Sequence, residues 1–181
     1  MVNDTPEKKI LCRGKYLQMV LDRHWEYVER PGIPGAVVIV AITDEQKLLL
    51  VEQMRIPLGM HVLELPAGLA GDDDANESFA ECAKRELLEE TGYEAQELEW
   101  LAEGPTTPGL SNERITLYKA VGLRRAHDGG GIDHEQIVVH EVPLAQVPTW
   151  LAEQTQQGKL VDLKIWAALY FCRAVDAKET S

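Results

Sequence analysis

Three glutamates, Glu86, Glu89 and Glu90, stand three and four residues apart in the stretch Gly71 to Tyr93, GDDDANESFAECAKRELLEETGY. On a helix that spacing aims them from neighbouring positions within an arc of roughly 100°, at ~3.6 residues per turn. Like charges so placed repel one another, so the cluster calls either for plain hydration, as a solvated acidic face, or for a hard divalent cation that takes oxygen ligands. Arg85 stands four residues before Glu89 and is spaced to pair with it. A surface salt bridge is the alternative for that arginine. Glu77, opening the same helix, is either structural or an outer ligand.

The elements that must position these groups follow from the pattern around them. Asn76 is a plausible N-cap for the helix, Phe79, Ala80, Ala83 and Leu87 recur at three- and four-residue steps as its apolar stripe, and Gly92 supplies the stop. Upstream, AVVIVAI (36–42) and KLLLVEQ (47–53) are apolar runs of strand length joined by a polar turn, and His61 to Pro66 makes a further short strand. Ala67-Gly68 then opens the loop into the helix. Downstream, strands are expected at Leu98–Ala102, Ile115–Val121 and Gln136–Val142, with Gly129-Gly130-Gly131 predicting a mobile loop before the last. Two helices are expected to finish the chain, at about 147–157 and 161–175, the second with Leu163, Trp166, Ala167 and Tyr170 as its buried stripe. At the N-terminus, KYLQMVL and HWEYVER read as a hairpin turning at Asp22-Arg23. The connection Arg30-Pro-Gly-Ile-Pro-Gly35 separates it, as an appendage over 1–35, from a main domain over 36–181. Strands interleaved with a few helices indicate an α/β layered domain.

Composition narrows the function. The chain has 181 residues, enough for one ordinary domain with a small appendage. It contains no apolar run near the ~20 residues of a membrane span, and no secretory signal is visible, so cytoplasmic residence is the expected default. Its net charge of −12, from 30 acidic against 18 basic residues, repels DNA or RNA. A small nucleotide carrying a divalent cation is less affected, because the metal offsets the acids locally. Cys12, Cys82 and Cys172 are too scattered for a disulfide framework or a metal knuckle and read as reduced packing residues.

The stretch from Gly71 fits a pattern of nine fixed positions over 23 residues: Gly71, Glu77, Arg85-Glu86-Leu87, Glu89-Glu90, Gly92 and Tyr93. It resembles the Nudix box, the loop–helix–loop signature of hydrolases that cleave nucleoside diphosphates linked to another moiety. The resemblance implies an α/β/α sandwich with a mixed sheet, and Mg²⁺ (with Mn²⁺ as an alternative) held by Glu86, Glu89, Glu90 and the backbone carbonyl of Ala67.

Outside the box the likeness extends to the ADP-ribose pyrophosphatases and related nucleotide-sugar hydrolases. Four segments carry it: Glu52-Gln-Met-Arg-Ile-Pro57, Glu64-Leu-Pro-Ala-Gly68, Pro108-Gly109 with Ser111 and Glu113, and Asp133-His-Glu135. By this resemblance Arg55 reaches the diphosphate, Glu113 joins the inner acidic surface, Trp25 stacks on the base and Arg30 contacts phosphate or ribose. Each of these also has an ordinary structural reading. Glu135 matches a loop glutamate that activates water, with Glu89 the competing base and Arg85 its partner. The likeness further implies a homodimer whose N-terminal strands cross to the partner. The sequence departs from the subgroup in two places: the loop Arg124 to Ile132, with its basic start and glycine-rich end, has no counterpart and bears on specificity, and a second departure lies beside the site. Gly68 and Gly71 are distinct where one residue often serves, so Leu69-Ala70-Gly71 reads as an insertion lengthening the loop before the helix. The expected function is hydrolysis of ADP-ribose or a related nucleoside diphosphate sugar, giving a nucleoside monophosphate and a sugar phosphate. The alternative is a catalytically silent, nucleotide-binding regulatory module.

Overall fold

The computed structural model describes residues 8–72, 74–132 and 136–179, with side chains through 171. Three strands, β1 (Lys9–Arg13), β2 (Gln18–Asp22) and β3 (Trp25–Glu29), form an antiparallel sheet of their own. The β2–β3 turn is tight because Arg23 takes φ 57°. The strand β1 went unread in the sequence, since its residues KILCR are exposed throughout and show no alternation of apolar and polar positions.

The remaining strands make two four-stranded sheets. One has the order β7 (Ala67–Ala70), β4 (Gly35–Ala41), β9 (Arg114–Arg125), β8 (Tyr93–Pro105), with β4 and β9 parallel. The other has the order β10 (Val138–Pro143), β5 (Lys47–Arg55), β6 (Met60–Glu64), β11 (Leu160–Val161), with β6 and β11 parallel. The strand β4 reads as an unbroken apolar run because both its faces are covered. Val37, Ile39 and Ala41 pack with Cys82, Ala83 and Leu87 of α1 (Phe79–Thr91). Val38 and Val40 face a second cluster that takes in Val147 and Leu151 of α2 (Val147–Gln156) and Ile165 and Ala168 of α3 (Lys164–Glu179). The result is an α/β/α arrangement of mixed sheets. Among the described residues no helix is long and apolar enough to cross a membrane.

Several local expectations are corrected. The N-cap of α1 is Ser78, not Asn76: Ser78 Oγ accepts from the Glu81 N–H while the Glu81 carboxylate takes the Ser78 N–H. This reciprocal capping satisfies two otherwise orphaned donors, where the Asn76 amide instead bonds Asp74. Residues 67–70 are not loop but strand β7, paired to β4. In α3 the apolar stripe lies on the other phase. Ile165 and Ala168 are buried, whereas Leu163 is 79% and Tyr170 70% exposed, because the short parallel pairing of Leu160–Val161 with β6 fixes the rotation at which the chain enters the helix. Cys12 is exposed rather than packed, Cys82 is buried, and the Cys172 side chain lies outside the described residues.

Candidate active site

The helix α1 presents its glutamates to the start of β7. Glu90 is buried, and one carboxylate oxygen, Oε2, accepts the Ala67 N–H at 3.0 Å. Glu86 lies so close to the Gly68 backbone that a Cβ there would come well under 3.0 Å from its Cγ, Cδ and Oε1. Glycine at 68 is therefore a cradle for this carboxyl group. Burial pushes the Glu86 pKa up to about 7; Arg85 pulls against that shift, while Glu89 and Asp72 add to it.

Arg85 is the hub beside them. Its Nε and Nη2 donate to the two oxygens of Glu77 at 2.9 and 3.1 Å, and its Nη1 reaches Glu86 at 2.9 Å and Glu89 at 3.1 Å. Its Nη2 also contacts Asp72 at 3.4 Å. The guanidinium pKa is raised, first by the Glu77 bonds, which also lower the pKa of Glu77. Glu77 precedes the helix and is clamped by arginine, which gives it a structural part.

The far end of α1 is closed by a second device. Gly92 takes φ 76°, and its N–H caps the Leu88 carbonyl. The Gly130 and Gly131 N–H groups then donate to the Glu90 and Glu89 carbonyls at 2.9 and 3.0 Å. The glycine run, read as a mobile loop, is thus docked on the helix that carries the acids. Glu135 itself, with Asp133 and His134, lies outside the described residues.

A cleft of about 450 Å³ gathers Arg30, Arg55, Ala67, Glu86, Glu90 and Glu113. Among its other lining residues are Gln53, Glu64, Asp72 and Lys164, to which the sequence assigned no part in the site. For Gln53 a signal was available, since it shares a strand face with Arg55 by its two-residue spacing; Lys164, at the start of α3, gave none. Arg55 Nε donates to Glu64 Oε2 at 2.6 Å, and Arg30 Nε donates to Glu113 Oε1 at 3.0 Å. Trp25 is not in this cleft. It is 52% exposed, donates from Nε1 to the Gly109 carbonyl at 3.3 Å, and borders a separate cavity of about 440 Å³ with His24, Tyr27 and Pro108.

The donor set suits a hard divalent cation: the buried Glu90 carboxylate beside the part-buried Glu86, whose pKa is raised. Among the described residues no three acidic, histidine or cysteine side chains already converge as a cage, because Arg85 holds Glu86 and Glu89.

Comparison with known proteins agrees with this architecture. The model of the NUDIX domain matches residues 33–162. The chain is 37% identical over 145 residues to the methanol dehydrogenase activator of Bacillus methanolicus, covering 80% of this chain and 75% of that protein. It is 34% identical over 149 residues to the ADP-ribose pyrophosphatase of Bacillus subtilis (strain 168), covering 76% and 79%. With the GDP-mannose pyrophosphatase of Cronobacter sakazakii it shares 33% over 139 residues, covering 72% and 68%. The crystal structure of an ADP compounds hydrolase superposes with a TM-score of 0.73 over 97% of this chain and 96% of the other, at 22% identity, and so shares the fold.

Proposed function

The chain belongs to the Nudix family and is a pyrophosphohydrolase of that type; from this premise we propose that it hydrolyses ADP-ribose or a closely related nucleoside diphosphate sugar. The products are a nucleoside monophosphate and a sugar phosphate. The observation that carries the reading is the meeting, in one cleft, of Arg30 and Arg55 with the buried carboxylate of Glu90 and the part-buried one of Glu86. Cations for two adjacent phosphates stand there with acids for a metal.

Glu86, Glu89, Glu90 and the Ala67 carbonyl would hold Mg²⁺, or Mn²⁺ in its place. When bound, such a cation neutralises charge on the phosphoryl oxygens and lowers the pKa of a water. Arg55 and Arg30 bind and orient the diphosphate. The water oxygen bonds to one phosphorus, the bridging P–O bond breaks, and the bridging oxygen leaves with the other phosphate. Glu135 takes the water's proton, with Glu89 the competing base. Trp25 and Pro108 border the space assigned to the base. The N-terminal sheet exposes Ile10, Leu11, Tyr16, Leu17 and Met19, which supports docking on a second copy and a homodimer whose sites draw on both chains.

Purified protein with ADP-ribose and Mg²⁺ is expected to release AMP, and Glu86→Gln to lose at least about 100-fold in kcat. No AMP from the wild type, or an unaffected Glu86→Gln, overturns the reading. A parallel panel with GDP-mannose and dinucleoside polyphosphates sets the preferred base and sugar. The Bacillus methanolicus relative, named for activating another enzyme, favours a second reading as a nucleotide-binding regulator. Tight ADP-ribose binding without turnover would select it.

A further inference from the structure

Two arginines of the cleft are gripped in the same way. Arg55 Nε donates to Glu64 at 2.6 Å and Arg30 Nε donates to Glu113 at 3.0 Å. A guanidinium is a rigid planar fork of five N–H donors, so a carboxylate on Nε fixes the plane while leaving the Nη edge for another anion. Among the described residues neither Arg30 nor Arg55 has a second ion-pair partner. Arg85 is the contrast, since carboxylates engage its Nε and both Nη groups.

The two holders are built differently. Glu64 is only 8% exposed at the end of β6, on the hairpin partner of the strand that carries Arg55. A carboxylate this buried makes its ion pair with Arg55 costly to break from one side. Burial alone would lower the Arg55 pKa, yet the Glu64 bond raises it. Glu113 is half-buried just before β9 and reaches 83 residues back to Arg30, just after β3. One arm of the pair thus stands on the core hairpin, and the other ties the N-terminal sheet to the cleft.

We propose that Glu64 and Glu113 are positioning residues, each holding one arginine by Nε so that the two Nη edges clasp the diphosphate from either side. This rests on reading the cleft as a diphosphate site. It gives Glu113, expected from resemblance as part of the inner acidic surface, a role exerted through Arg30. A plain structural salt bridge would stabilise the fold and leave diphosphate affinity alone.

The full-length chain is titrated with inorganic pyrophosphate in EDTA by calorimetry, so that metal-mediated binding makes no contribution. Steady-state kinetics follow with ADP-ribose and Mg²⁺, and thermal melts check folding. Glu64→Ala and Glu113→Ala are expected to weaken pyrophosphate binding and raise KM by about tenfold, with kcat within about threefold. Glu64→Gln, whose carbonyl oxygen still accepts from Nε, is expected to recover most of the affinity. Glu64→Ala with Arg55→Ala is expected to bind no more weakly than Arg55→Ala alone, because the glutamate acts only through the arginine. Additive losses, or unchanged affinity in folded alanine variants, overturn the proposal. Glu113 lies nearer solvent, so Glu113→Ala with Arg30→Ala keeps the test decisive if Glu64→Ala loses its fold. Wild-type protein that binds no pyrophosphate overturns the clamp outright. Wild-type protein that binds pyrophosphate but leaves ADP-ribose intact overturns the substrate reading, and the binding arms still judge the clamp.

Discussion

Gly68→Ala separates the site from the fold. An added Cβ would fall well under 3.0 Å from three atoms of the Glu86 side chain, and ordinary contact begins at 3.4 Å, so the carboxyl group must withdraw by roughly 1 Å or more. What yields is the far end of a flexible side chain, not backbone. Gly68 is also absent from the residues with positive φ, so alanine fits its conformation. The stability cost is therefore small, about 1 kcal/mol, arising from a loosened Arg85–Glu86 contact. The functional cost is large. Mg²⁺ needs oxygen ligands near ~2.1 Å in close to ideal octahedral geometry, and an error of ~1 Å in a reacting group costs on the order of 100-fold. That is about 2.7 kcal/mol of barrier. The assay is kcat/KM for ADP-ribose across a Mg²⁺ titration, beside a thermal melt. A fall of about 100-fold with a right-shifted Mg²⁺ dependence and a near-native melt is the expected result. Activity within threefold of wild type at equal Mg²⁺ would refute the cradle argument. So would a loss explained entirely by unfolding.

Two further outcomes follow from ionisable groups away from the cleft. Glu29 has its pKa lowered, chiefly by its bond to Lys8 and also by Gln18, against the opposing effect of burial. A depressed carboxyl pKa contributes stability above the unfolded value of ~4.3 and loses it as pH falls through the folded value. Amide exchange over 18–29, corrected for intrinsic rate, should thus show protection at pH 7 that fades below about pH 4, and Glu29→Gln should flatten that dependence; parallel loss in both proteins would count against it. Cys82 has its pKa pushed up to about 12, first by burial and then by Glu86 and Glu77, whereas Cys12 is exposed. Iodoacetamide at pH 8 followed by peptide mapping should label Cys12 and spare Cys82 in the native chain, and fast labelling of Cys82 would contradict the packing of α1.

What the sequence made legible was whatever local spacing decides. The glutamates of α1, the Gly92 stop and the apolar runs of β4 and β5 are each set by a period or by one residue's backbone freedom. What it hid depends on partners distant in the chain. The capping residue turns on which candidate has a glutamate three residues on: Ser78 has Glu81, whereas Asn76 has Phe79. The α3 stripe could not be phased from its own residues, because Leu163, Trp166 and Tyr170 repeat as regularly as Ile165, Ala168 and Leu169. Only the pairing of β11 with β6 chooses between them. Glu64 was visible within a segment that carries the family likeness, yet nothing local says that its carboxylate meets Arg55. The same limit applies to Glu113 and Arg30, 83 residues apart.

The departure from the subgroup beside the site shows how tertiary pairing recasts a local irregularity. Leu69-Ala70-Gly71 reads in the sequence as extra loop before the helix. In the fold Leu69 and Ala70 extend β7 in register with Ala36 and Gly35, and Gly71, at φ 83°, turns the chain only afterwards. The turn comes late enough that Asp72 lies within 3.4 Å of Arg85. One guanidinium then faces Glu77, Glu86, Glu89 and Asp72 together. Four carboxylates against one cation leave a local excess of negative charge, and the pKa of Glu86, part-buried among them, is pushed up to about 7. The late turn therefore gathers acidic charge at the head of the cleft, and it leaves Ala67 and Gly68 fixed by the strand ladder on which the cleft is built.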